Sequence, residues 1–128
     1  MERYSHTLLR FSSIFALIGA VLGSHMAGSG SYMFRPIHAH LLVVGWLSIF
    51  SFAIFYKVFQ VNVSEKLAAT HTWTAIIGVI GLTSGMWLQT LDVAKGLQLS
   101  IYIGGGSILL VSFVLFVFLT FKVQANKK

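Results

Sequence analysis

The chain has 128 residues, of which 56% are hydrophobic and only 9% charged, with a mean hydropathy of +0.84. A water-soluble domain carries about a quarter charged residues, so lipid must solvate most of this chain. The formal charge of +6 comes from cations placed at the ends of apolar stretches, a pattern of bilayer orientation rather than nucleic-acid binding, and the lack of cysteine excludes disulfides, thiolate metal sites and thiol nucleophiles.

Four apolar stretches are each long enough to cross about 30 Å of hydrocarbon, which takes about 20 helical residues. The first covers 7–27. Arg3 and Arg10 ahead of its apolar core have the outline of a signal peptide, but no small-x-small cleavage motif follows, so it is expected to stay as a helix. A connection over 28–35 is glycine-rich at its start, and Pro36 then stands at a favourable first-turn position for the second stretch, 37–59. The third and fourth stretches cover 67–90 and 98–121. A closed barrel would need alternating polar positions, which these stretches lack. The expected fold is therefore all-α: one transmembrane domain over 1–128, an up-down four-helix bundle whose short connections make successive helices antiparallel.

Orientation follows from the connecting segments. Arg3, Arg10, Lys57, Lys66, Lys122, Lys127 and Lys128 fall on one side, while Arg35 and the pair Asp92 and Lys95 fall on the other. Positive charge marks the cytoplasmic face. The expectation is a multi-pass protein of a bacterial-type plasma membrane with both termini inside.

Ionisable groups within a membrane are costly and mark functional positions by default. Here they are almost all histidines: His25, His38, His40 and His71, with His6 near the start of the first helix. His25 lies at the outer end of the first helix, and His38 and His40 open the second, so three imidazoles share one depth. His71 sits near the inner end of the third helix, most of a bilayer away. Two axial nitrogens must each lie about 2 Å from an iron, so His38 and His71 of one chain cannot form such a pair.

Two residues along a helix turn by about 200°, so His38 and His40 point to opposite faces. One of them is expected to face His25. The other needs a polar partner, supplied by a neighbouring subunit or a second cofactor. Met26, Met33 and Met86 add soft donors near the same depth. This donor set suits haem iron, or copper bound by His25, Met26, His38, His40 and Met86. The plainer use of the same imidazoles is hydrogen bonding to backbone or lipid headgroups at a helix end. The pairs Gly19 with Gly23 and Gly81 with Gly85, and the run Gly104-Gly105-Gly106, predict close helix contacts, or else room for a flat macrocycle. Trp46 is open to the same two uses, packing or flanking a cofactor; Trp87 fits the interfacial belt.

The stretch Arg35-Pro36-Ile37-His38-Ala39-His40-Leu41, with Gly45-Trp46 and Tyr56, resembles the haem-bearing helices of the catalytic subunit of haem–copper oxidases. It is more similar still to small four-helix proteins related to that subunit, as is the third helix around His71-Thr72-Trp73 with Gly78, Gly81 and Gly85. In one alignment His38 occupies the family's Arg-Pro-x-His position, which ligates a low-spin haem. In the other, His38 and His40 match a His-x-His pair whose members serve two haems. The resemblance implies b-type haem binding. The family's catalytic subunit has about twelve helices, a three-histidine copper site and a tyrosine beside it, which four helices without that cluster do not reproduce, so oxygen reduction by one chain is not implied.

The function expected is membrane haem binding for electron transfer or for redox or gas sensing, in a homo-oligomer that meets a redox partner protein. His38 is the expected axial ligand, His25 its partner within the chain, and His40 a ligand for a neighbouring chain or second haem. Copper handling and a structural role in a respiratory complex are the two rival readings.

Overall fold

A computed structural model describes residues 1–124. Lys127 and Lys128, placed with the inner cations above, lie outside the described residues. Four helices follow one another: α1 (Glu2–Ser29), α2 (Arg35–Val58), α3 (Glu65–Leu88) and α4 (Lys95–Thr120). Each is long and apolar enough to cross a membrane. The protein is thus all-α, with four candidate membrane spans.

The helices outrun the apolar stretches because hydrogen bonding continues into interfacial polar residues. Glu2 and Glu65 stand in the first turns of α1 and α3, where an acid complements the positive end of the helix. Ser64 caps α3 by accepting the Leu67 N–H at 3.3 Å. Gly30 ends α1 with a φ of 69°, a left-handed conformation that a residue with a side chain rarely adopts. The first connection therefore shrinks to 30–34, shorter than the eight residues expected.

Inside α2 the residues Leu41–Ser48 form a π-helix, whose i→i+5 bonding is wider than an α-turn. The Ser48 hydroxyl follows the same spacing and donates to the Val43 carbonyl at 3.0 Å. Nothing in the apolar pattern announces this stretch. It passes Gly45 against Phe15 of α1 and Val79 of α3, where a Cβ would stand 2.9 Å from the Phe15 Cβ.

The closest helix pair is α3 with α4. A Cβ on Gly85 would fall 2.4 Å from Tyr102 Cα, and one on Gly78 2.6 Å from Leu109 Cα. Gly105 meets the backbone at Leu82 and Gly81 in return. These contacts need backbones with nothing between them. α1 packs on α2 in a similar way, with Leu42 over Gly19 and His38 over Gly23. Both small-residue pairs are therefore occupied within the chain. They are the close helix contacts their spacing predicts, and each faces a covalently tethered neighbour rather than a flat macrocycle or a second subunit.

The span least rich in apolar residues, α3, is the most buried, while α4 is the least buried. Leu110, Val114 and Val117 project outward from α4, as a surface in hydrocarbon should. One end of the bundle, the terminal end, gathers the start of α1, the 59–64 connection and residues 122–124. There Glu2 pairs with Lys57, Arg3 pairs with Glu65 at 3.5 Å, and Val61 bridges Val123 with Asn62 N–H donating to the Lys122 carbonyl at 3.1 Å.

Candidate functional site

His38 is partly buried and lies across α1. Its Nδ1 is 2.7 Å from the Gly19 carbonyl oxygen, and its Cε1 occupies the space a side chain on Gly23 would need. A carbonyl can only accept, so Nδ1 carries the proton, and the lone pair of the neutral ring is left on Nε2. His40 repeats this on its own helix: its Nδ1 is 2.8 Å from the Pro36 carbonyl oxygen. Two imidazoles at the end of α2 are thus held in one tautomer by backbone oxygens, the usual outer arrangement of a metal-ligating histidine.

His25 does not join them. It is exposed, and its ring centroid lies 6.1 Å from that of Phe34. The reason is the helical turn: His25 follows Gly23 by two residues, about 200° around α1. A ring packed on Gly23 therefore meets the opposite face from His25. Met26 is buried, Met33 is exposed, and Met86 is partly buried on α3. Met33 and Met86 line one cavity of about 200 Å³ with Gln89, Thr90 and Tyr102, and no histidine reaches it. Among the described residues, no three His, Asp or Glu side chains converge on a point that could hold an ion. Trp46 is 45% exposed on the outer surface of α2, neither packed in the core nor beside His38.

His71 occupies a different environment. It is fully buried near the terminal end, with its Nδ1 2.9 Å from the Tyr56 hydroxyl. Phe116 stacks on its ring at 5.8 Å and Phe52 meets it at 4.8 Å. Its Nε2 is buried without a hydrogen-bond partner among the described residues. About 25 Å of α2 separates Tyr56 from His38 at 1.5 Å per residue, consistent with the depth separation read from the sequence. The Tyr56 partner was missed there. Its signal is depth: Tyr56 lies two residues before the end of α2 and His71 six after the start of α3, on either side of a short connection.

No family model, curated protein or solved structure matches this chain. The functional reading therefore rests on the site itself. A cavity of about 400 Å³ between α1, α2 and α3 is lined by Phe15, Leu22, Ile37, Leu41, Ile80 and Trp87 among others, with no histidine.

Proposed function

We propose that the protein binds b-type haem in the membrane through Nε2 of His38, with His40 serving a second haem or a neighbouring copy of the chain. The observation that carries this reading is the pair of carbonyl-held imidazoles, His38 on Gly19 and His40 on Pro36, each with no hydrogen bond at Nε2 among the described residues. Haem asks the protein for only one or two axial nitrogens, which separately held rings can offer. A copper ion would need several of His25, Met26, His38, His40 and Met86 to meet, and these side chains point to different surroundings. Haem, when bound, supplies one-electron iron chemistry or diatomic gas binding, and the reading extends to electron transfer or redox or gas sensing. Because His38 is only partly buried at the α1–α2 contact and four helices leave little interior for a macrocycle, the reading includes a homo-oligomer whose neighbouring copy helps to enclose it. It also places both termini in the cytoplasm, since the terminal end carries Arg3, Lys57, Lys66 and Lys122.

The test is the absorption spectrum and metal content of protein made in a haem-sufficient host. A Soret band is expected that His38→Ala abolishes or strongly shifts, with the protein still in the membrane, and that His71→Ala leaves in place. A colourless protein carrying copper, or one with neither group, overturns the reading. So does a haem lost with His71→Ala and kept with His38→Ala.

A further inference from the structure

Three glycines lie along α1, and each meets a different neighbour. A Cβ on Gly28 would meet nothing within 4 Å, and one on Gly19 would meet Leu42 and Leu41. Gly23 alone of the three lies against an imidazole. A Cβ there would stand 2.7 Å from Cε1 of His38, 3.1 Å from Nδ1 and 3.5 Å from Nε2. Carbon atoms in contact stay about 3.5–4.0 Å apart, so the ring would have to retreat from α1. The same helix carries the Gly19 carbonyl that holds Nδ1 at 2.7 Å. Retreat lengthens that bond, and at about 3.6 Å it is no longer a hydrogen bond. A methyl group at position 23 and the Nδ1–Gly19 bond therefore compete.

What the bond decides is which nitrogen keeps the lone pair. An imidazole without partners favours the proton on Nε2, which leaves Nδ1, the nitrogen nearer its own backbone, as the available donor atom. Donation from Nδ1–H to a carbonyl reverses that choice: it bares Nε2 and raises its basicity. His40 provides the comparison within the same turn of α2. Its Nδ1 lies 2.8 Å from the Pro36 carbonyl oxygen, four residues back on its own helix. That bond needs nothing from α1, whereas the bond of His38 exists only where α1 is bare.

We propose that Gly23 is a positioning residue for His38: its missing side chain lets the ring reach the Gly19 carbonyl, which fixes Nε2 as the atom offered to a ligand. The consequence for haem rests on the reading above, but the tautomer is a property of the chain alone. The test is imidazole nitrogen-15 NMR of the full-length, histidine-labelled protein in micelles without haem, at about pH 8.5, where unperturbed imidazoles are neutral. His38→Gln and His40→Gln identify the two sets of signals. In the parent both rings should carry the proton on Nδ1. Gly23→Ala should move that of His38 to Nε2 and leave His40 unchanged, and Gly28→Ala should change neither. Titrated with haem, Gly23→Ala should bind about 10–100-fold more weakly than the parent, the loss typical when the outer partner of a ligating histidine is removed. Gly28→Ala should bind as the parent does. A parent His38 protonated on Nε2 overturns the proposal without any variant. So does a Gly23→Ala protein in which His38 keeps its Nδ1 proton, or one in which His40 changes alongside it. A tautomer switch confined to His38, in a chain that takes up no haem, supports the role of Gly23 and overturns the haem reading alone.

Discussion

At the scale of single residues, the energetics centre on polar atoms that lipid cannot satisfy. Tyr56 and His71 answer each other at 2.9 Å in a surround of phenylalanine rings, and the His71 Nε2 is left without a partner among the described residues. Removing one partner strands the other, at about 1–3 kcal/mol, whereas removing both at similar volume comes close to neutral. Tyr56→Phe and His71→Leu should therefore each destabilise the protein, and the double variant should be less destabilised than the sum of the two. Reversible unfolding in mixed micelles measures this, with a coupling of about 0.5–3 kcal/mol expected. Strict additivity would show that the two side chains do not act as a pair. The four outer and inner histidines stand out in the sequence because so little else in the chain is ionisable. Which atom each addresses does not, since Gly19 and Pro36 act through backbone oxygens that carry no side-chain signature.

At the scale of the helix, identical residues carry opposite consequences. Gly104 and Gly105 are neighbours on α4. A Cβ on Gly105 would lie 2.2 Å from the Leu82 nitrogen, whereas one on Gly104 meets nothing within 4 Å. Gly105→Ala must push α4 off α3 and should cost about 1–3 kcal/mol. Gly104→Ala should stay within about 0.5 kcal/mol of the parent. Thermal unfolding in one detergent compares them directly, and equal losses would contradict the close backbone contact. The glycine spacing made helix contact legible in advance. It left open whether the partner was another subunit or the next helix, because a small-residue pair describes a surface and not its occupant. The π-helix over Leu41–Ser48 was not legible at all. Within it Gly45 is seated between Phe15 and Val79, a three-helix contact with no trace in local composition.

At the scale of the whole molecule, most of the cations gather at the end that holds the start of α1, the 59–64 connection and residues 122–124, and the reading of both termini as cytoplasmic can be checked there. Reporter fusions after Lys128 and within the 89–94 connection should report opposite sides of the membrane, the first inside. The same side for both is incompatible with four spans, and an outside location for the first reverses the orientation. Composition alone determined that the chain lives in lipid and crosses it four times. With 9% charged residues no aqueous surface can be made, and backbone groups in hydrocarbon must be satisfied within each helix. Depth was determined as well, since 1.5 Å of rise per residue places His38 and His71 far apart whatever the packing. Rotation about each helix axis was not. It depends on which ridges meet which grooves, and this is what turned His38 onto Gly23 and away from His25. The same rotation paired Tyr56 with His71 and buried the Thr72 hydroxyl. Only tertiary packing decides such neighbours, because each is set by the faces of two or three helices at once.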